Sequence, residues 1–343
     1  MSENLKHPLE LDSISNSQST QRPSKISKTA DDLSDGEQES QQPQSMSQHP
    51  RIQRYLLAIE YIGTRFSGSQ QQSNCRTVVG VLEEAFRKFI GQPVSIFCSS
   101  RTDAGVHALS NVCHVDVERI SKRKPGEVKN EGDVMVIDVR SVPADFHARY
   151  KAQERTYFYR FLSRPEPLST FEKDRAWHVP EELDLCSMQE ACKVLVGHHD
   201  FSSFRAAGCQ AKSPIRTLDE LNVSEVVSSP CFPSIMERKQ NNLVEEDPHA
   251  HTNKLETDTP SSFNEGQGFG VRKKHRCFVV TARARSFLYH QVRLLVGVLK
   301  CVGTGDLKVP DVERILNAKT VTAASPMAPA CGLYLGQVKY DLP

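Results

Sequence analysis

Two polar segments limit what this chain can fold into. Residues 1–50 are rich in Ser and Gln with hardly an aromatic residue, and residues 228–272 show no hydrophobic period of any kind. Neither composition buries enough apolar surface to offset the entropy lost when a backbone is ordered. We therefore predict a disordered tail, a folded region that begins near residue 51, and a disordered insertion within that region.

The insertion also predicts how its two flanks pair. Runs of strand-forming residues at 218–227 and 276–285 stand on either side of it. A long loop between two paired strands costs little more than a short one, because closure entropy grows slowly with loop length. The two runs are therefore predicted to form an antiparallel hairpin with the insertion at its tip.

Charge is distributed unevenly along the chain. The tail holds eight acidic and four basic residues, the insertion holds seven and four, and the net charge of +1 therefore leaves +8 on the remainder. A basic core fits a polyanionic partner, because Lys and Arg contacts to phosphate provide most non-specific affinity for nucleic acids. Basic cores without such a partner are also common, so charge alone leaves the question open.

Several classes of protein do not fit the sequence. No apolar run approaches the roughly 18 residues that span a bilayer, and the N-terminus lacks the apolar segment of a secretion signal. The ten cysteines include no C-x-x-C pair, so neither a metal site nor a disulfide framework is predicted. Acidic residues cluster at 31–39, unlike a mitochondrial transit peptide. We expect an intracellular protein, cytoplasmic or nuclear, with a mitochondrial location still open.

Local patterns predict most of the remaining elements. Thr77 is a suitable N-cap and Gly91 a suitable end for one helix. Further helices are predicted over 184–196, over about 287–302 with Phe287 on the apolar face, and from near Pro310. Strand periods occur at 55–61, 94–98, 111–117, 134–139 and 155–162.

A polar loop lies between two of these strands, from 99 to about 108. It contains Arg101, Asp103 and Gly105. Site residues concentrate in loops held between rigid strands, and a nearby arginine can keep a carboxylate ionised or hold a phosphate. Asp103 is therefore a candidate catalytic group. The alternative is a turn in which its carboxylate only caps backbone N–H groups.

The longer string Arg101-Thr102-Asp103-Ala104-Gly105-Val106-His107-Ala108 resembles the signature of the TruA family of tRNA pseudouridine synthases. Segments at 143–149, 154–159, 200–205, 287–293 and 328–335 also resemble family motifs. Ser99-Ser100 before Arg101, together with the string at 66–70, looks like the eukaryotic tRNA pseudouridine synthase-like branch.

The resemblance implies two sets of site residues. In the catalytic set, Asp103 is the carboxylate, Tyr157 stacks on or near the target uracil, and Arg293 pairs with Asp103. The substrate-binding set comprises Arg101, His107, Arg205 and Leu333. From the residues alone, aromatic packing, an arginine that reaches water and a final core strand would explain Tyr157, Arg293 and Leu333 equally well.

The resemblance also implies a fold and an activity. The expected α+β fold has two α/β halves with mostly antiparallel sheets, 51–150 and 151–343, which meet in a catalytic cleft. The implied activity is the isomerisation of uridine to pseudouridine in tRNA, without a metal or other cofactor, by a homodimer. A nucleic-acid substrate agrees with the basic core.

Two other functions stay open. Family members carry a helix and an extended segment before the motif at 143–149, whereas this chain has only residues 120–142 there. This departure keeps open a non-catalytic RNA-binding or ribosome-associated protein. A hydrolase that acts on free nucleosides through Asp103 is the other alternative, and the basic core and the lack of a metal-binding Asp cluster argue against it.

Overall fold

The computed structural model describes residues 52–118, 132–226, 275–324 and 326–342. The predicted tail at 1–50 and the insertion at 228–272 lie outside the described residues, as does most of the shortened segment at 120–142. No helix in the described ranges is long and apolar enough to cross a membrane.

The fold is built on one sheet of ten strands. The strands are β1 (Ile52–Tyr61), β2 (Ile96–Cys98), β3 (His107–Glu118), β4 (Val134–Val142), β5 (Glu154–Ser163), β6 (Trp177–Val179), β7 (Gly197–Asp200), β8 (Ile215–Val226), β9 (Arg276–Ala284) and β10 (Leu333–Lys339). Eight of them follow the order β4-β1-β3-β10-β5-β9-β8-β7, while β2 pairs with β3 and β6 with β5. Among the described strand pairs, only β3–β10 and β5–β6 are parallel. The expected mostly antiparallel α+β fold is confirmed.

The last strand joins the two expected halves. β10 lies between β3 of the N-terminal half and β5 of the C-terminal half. Leu335 of β10 is in register with Ala108 on one side and Tyr157 on the other. The end of the Asp103 loop and the strand that carries Tyr157 are therefore separated by a single strand, within one continuous sheet.

Four helices complete the described fold: α1 (Val78–Ile90), α2 (Leu185–Leu195), α3 (Gln291–Gly303) and α4 (Val309–Ala318). The predicted limits of α1 are confirmed, because the Thr77 side chain accepts a hydrogen bond from Gly80 N at 3.2 Å and Gly91 has a φ of 88°. The predicted hairpin is confirmed too, since β8 and β9 pair antiparallel.

The start of α3 differs from the sequence-based prediction. The helix begins at Gln291, and His290 before it has a φ of 60°, a left-handed conformation that cannot continue a helix. Phe287 therefore lies in a loop and not on the helix face. Leu288 N donates to the buried Gln291 side chain at 2.8 Å, which fixes the turn into the helix.

Candidate active site

The loop that carries Asp103 is held from both sides. Its first residue is anchored by Ser99 N, which donates to Val112 O at 2.7 Å. Thr102 N donates to Ser69 Oγ at 2.8 Å, and Ser69 N donates back to Thr102 O at 3.0 Å. Because both of these side chains are buried, the backbone next to Asp103 has little freedom to move.

Asp103 meets two basic side chains from the start of α3. His290 Nε2 lies 3.0 Å from Asp103 Oδ2, and Arg293 Nη1 lies 3.4 Å from the same oxygen. The Asp103 side chain keeps 31% of its exposure, whereas His290 keeps 14% and Arg293 12%. The carboxylate therefore remains accessible at a point where its basic partners are nearly buried.

These contacts decide the ionisation of Asp103. Burial by itself raises the pKa of the carboxyl group, because it penalises the charged form. The hydrogen bonds and positive charges of His290 and Arg293 outweigh burial, so the pKa lies below its usual value. Asp103 is consequently a carboxylate at neutral pH, as a nucleophile or a base requires.

Arg293 is fixed by the segment that leads into β10. Its Nε donates to Ala328 O at 2.8 Å, and Ala328 N donates to Arg293 O at 3.0 Å. The guanidinium group thus binds the carbonyl of Ala328 while its Nη1 reaches Asp103. A nearly buried arginine inside an apolar helix needs such partners, because an unpaired buried charge is costly.

Tyr157 forms an aromatic wall beside the carboxylate. It is buried on β5, and its ring meets that of Phe287 edge to face with centroids 5.2 Å apart. Burial raises the pKa of the phenol, and the negative charge of nearby Asp103 raises it further. Tyr157 is therefore neutral near pH 7, and its position suits contact with an uncharged base.

The remaining predicted residues lie around this centre at different depths. Leu333 is buried at the start of β10, opposite Tyr159. The segment before it lies against the Asp103 loop: if Gly105 carried a side chain, its Cβ would lie 3.3 Å from Ala330 Cβ. Arg101 is exposed, two residues before Asp103. Arg205 is partly buried after a short 3-10 helix, and its neighbour Ala206 donates from its N–H to Tyr289 O at 3.1 Å.

His107, predicted to contact the substrate, is held by contacts within the protein. It is 2% exposed at the start of β3, and its ring stacks on Tyr334 with centroids 4.5 Å apart. Nδ1 accepts from Gly63 N at 3.2 Å, which leaves Nε2 to donate to Asp174 O at 3.2 Å. Both ring nitrogens are used within the protein, which gives the imidazole a structural role, and its substrate contact stays a prediction.

His290 is the site residue that the sequence interpretation missed. It lies immediately before α3 in a left-handed turn, so helical spacing from Arg293 does not bring the two side chains together. The sequence therefore carried no local signal for its contact with Asp103, which lies far earlier in the chain.

The fold and the site together define a class of protein: an α+β fold with one mostly antiparallel sheet and an ionised carboxylate beside a buried tyrosine. The chain matches the family model described as tRNA pseudouridine synthase over residues 57–151 and 191–341. It is 40% identical over 294 residues to tRNA pseudouridine synthase A of Rhodospirillum centenum, which covers 84% of this chain and 100% of that protein. It is 38% identical over 293 residues to the protein of that name from Xanthobacter autotrophicus, with 84% and 99% covered. The chain belongs to the TruA family of tRNA pseudouridine synthases.

Proposed function

We propose that this protein converts uridine to pseudouridine in tRNA, with Asp103 as the catalytic carboxylate. Family membership supports the reaction and the substrate class. The single observation that carries the residue assignment is the contact of one Asp103 oxygen with both His290 and Arg293. This contact keeps the carboxylate ionised while leaving part of it accessible.

The reaction sets requirements that these residues meet. The bond between N1 of the uracil and C1′ of the ribose breaks, the base turns, and a bond from C5 to C1′ forms with loss of the C5 proton. A carboxylate can act on the sugar or the base during this exchange, and Asp103 supplies it. Tyr157 and Leu333 provide aromatic and aliphatic walls that retain the detached base.

The target base must leave its stack before any of this occurs. Flipping a base costs a few kcal/mol, which protein contacts to the displaced strand must offset. The exposed Arg101, on the same loop as Asp103, suits the space that the base vacates. Its side chain can contact phosphate and stack on a neighbouring base at once.

Tritium release tests the proposal. RNA labelled with [5-3H]uridine loses its tritium to water only when C5 forms its new bond. We expect release from tRNA with the wild-type protein and none with Asp103→Asn. Tight tRNA binding without release by the wild type would favour the non-catalytic RNA-binding protein instead.

We further propose an intracellular homodimer that belongs to the eukaryotic-like branch. The strings at 66–70 and 99–100 support the branch, and the tRNA substrate class of the family supports the location, because tRNA occurs inside cells. Analytical sedimentation would test the dimer, and a fluorescent fusion would test the compartment. A family tree would test the branch. A monomer would contradict the dimer, and a secreted fusion would contradict the intracellular location. A place among the bacterial sequences would contradict the eukaryotic-like branch.

A further inference from the structure

A tight turn carries His290 into the candidate active site. Gln291 N donates to Leu288 O at 3.0 Å, which closes a turn of four residues. The two central residues are Tyr289 and His290, and His290 has a φ of 60°, a conformation in which glycine is the usual residue at this position of a turn. A larger side chain held in this conformation indicates a role, and for His290 that role is the contact with Asp103.

The other central residue, Tyr289, stacks on the imidazole ring of His290. The two ring centroids are 3.7 Å apart, and the ring planes differ by 28°. Because His290 Nε2 lies 3.0 Å from Asp103 Oδ2, a single imidazole ring connects the tyrosine to the carboxylate. Tyr289 is 48% exposed, whereas the His290 side chain keeps only 14% of its exposure. Tyr289 therefore presents an aromatic surface to solvent next to the candidate catalytic group.

The backbone of Tyr289 is fixed by its neighbours. Leu288 and Gln291, on either side of the two central residues, are both buried, and Leu288 N donates to Gln291 Oε1 at 2.8 Å. The carbonyl oxygen of Tyr289 accepts a hydrogen bond from Ala206 N at 3.1 Å. A ring that is held on a fixed backbone and stacked on a neighbour loses little further freedom when a ligand packs on it.

The position of Tyr289 points to the ligand. A single exposed aromatic residue is ordinary on a protein surface and needs no function. An RNA that delivers a uridine to Asp103, however, must approach the place where this ring is exposed. The target base leaves its stack when it flips, so the base next to it loses a stacking partner. An exposed aromatic ring can replace that partner, whichever base it is, because every base has a π face.

We propose that Tyr289 is a stacking platform for the unpaired base next to the target uridine in the RNA chain. One side of the tyrosine ring packs on His290, and the base packs on the part of the ring that solvent reaches. This inference rests on the proposed function, because it assigns the neighbour of the uridine on which Asp103 acts. The contact strengthens RNA binding without selecting a sequence.

Fluorescence anisotropy with labelled RNA would measure this contact in the full-length protein. Kd is compared for the wild type, Tyr289→Ala and Tyr289→Phe, first with tRNA and then with a fully paired RNA duplex. We expect Tyr289→Ala to weaken tRNA binding about tenfold, and Tyr289→Phe to restore most of the affinity because it retains the ring. Binding of the duplex should be nearly unchanged, since its paired bases keep their stacking partners and it is recognised mainly by its shape and backbone.

Phe89→Ala is the matched control, because Phe89 is 49% exposed on α1. Just after this helix, Gln92 Nε2 donates to Glu118 O at 3.1 Å, at the end of β3 that is furthest from the Asp103 loop. The control should bind tRNA as the wild type does. An equal loss of affinity in Phe89→Ala and Tyr289→Ala would overturn the proposal, because it would show a general effect of removing exposed aromatic rings.

Tritium release shows whether Tyr289 acts on the RNA or through His290. We expect Tyr289→Ala to raise KM and to leave the acid limb of the pH–rate profile in place, because His290 still contacts Asp103. A shift of the acid limb with unchanged tRNA affinity would overturn the platform and make Tyr289 a support for His290.

Three binding results complete the test. Wild-type tRNA affinity in Tyr289→Ala would overturn the platform. Equal losses in Tyr289→Ala and Tyr289→Phe would also overturn it, because they would assign the contact to the hydroxyl group. Weakened tRNA binding in Tyr289→Ala alone, with no tritium release by the wild type, would support the platform while contradicting the proposed catalysis.

Discussion

His290 and Asp103 are in direct contact, with His290 Nε2 3.0 Å from Asp103 Oδ2. The left-handed turn at His290 places its ring beside the Asp103 loop, immediately before α3 begins. Arg293, on the first turn of that helix, approaches the same oxygen at 3.4 Å. The ionisation of Asp103, in the loop before β3, is thus controlled by residues at the start of α3.

Replacing Asp103 by Asn should abolish catalysis while leaving the fold intact. The amide has nearly the same shape but can serve neither as a nucleophile nor as a base. We expect tritium release to fall by at least about 10³-fold, within the range attributed to catalytic proton-transfer groups. Asp219→Asn, which alters an exposed carboxylate on β8, should release tritium at the wild-type rate. Substantial activity in Asp103→Asn would move the catalytic role elsewhere.

The acid limb of the pH–rate profile should depend on His290. In the wild type the pKa of Asp103 lies below its usual value, so the active carboxylate persists to lower pH than that of an unperturbed aspartate. His290→Gly keeps the left-handed backbone but removes the hydrogen bond and charge, which raises the pKa of Asp103. The acid limb should therefore move to higher pH.

Single-turnover rates across the acid range would measure this shift. His198→Ala is the control, since His198 is exposed on β7 and its ring Nδ1 bonds to Thr217 Oγ1 at 2.9 Å. An unchanged acid limb in His290→Gly would show that another group sets the lower pH limit of the reaction.

Local sequence signals predicted the elements whose limits are set by near neighbours. Thr77 and Gly91 fixed α1 because an N-cap hydroxyl and a left-handed glycine act on the adjoining turn of the helix. The β8–β9 hairpin was equally predictable, since each strand carries its own period on either side of the insertion.

Features that depend on distant contacts could not be read in the same way. The start of β3 extends to His107 because β10 pairs with it there, and the position of β10 in mid-sheet follows from no local pattern. The left-handed turn at His290 also has distant partners, since Ala206 N donates to Tyr289 O and the His290 ring contacts Asp103. For this reason the Asp103 motif was found from the sequence and its histidine partner was not.

Replacing Arg293 by Lys should impair both stability and rate. One ammonium group cannot reproduce the separate contacts of Nε with Ala328 O and of Nη1 with Asp103. Loss of a charged hydrogen bond to a nearly buried carbonyl predicts a decrease of about 1.5–3 kcal/mol in the free energy of unfolding. Urea denaturation would measure it, and tritium release should slow because a lysine cannot hold the Asp103 carboxylate in place as the fixed guanidinium group does. Arg314→Lys, on the exposed side of α4, should match the wild type in both assays.

Replacing Ser69 by Ala should weaken the support of the catalytic loop. Ser69 Oγ accepts the hydrogen bond of Thr102 N at 2.8 Å, and both residues are buried. A buried N–H without an acceptor costs about 1–3 kcal/mol, so the free energy of unfolding should fall by that amount. Because Thr102 adjoins Asp103, kcat should also fall while tRNA affinity changes little. Ser73→Ala makes the same chemical change at an exposed position of the loop that carries Ser69, and it should leave stability and kcat unaltered. Equal behaviour of the two variants would show that the Ser69 contact does not position Asp103.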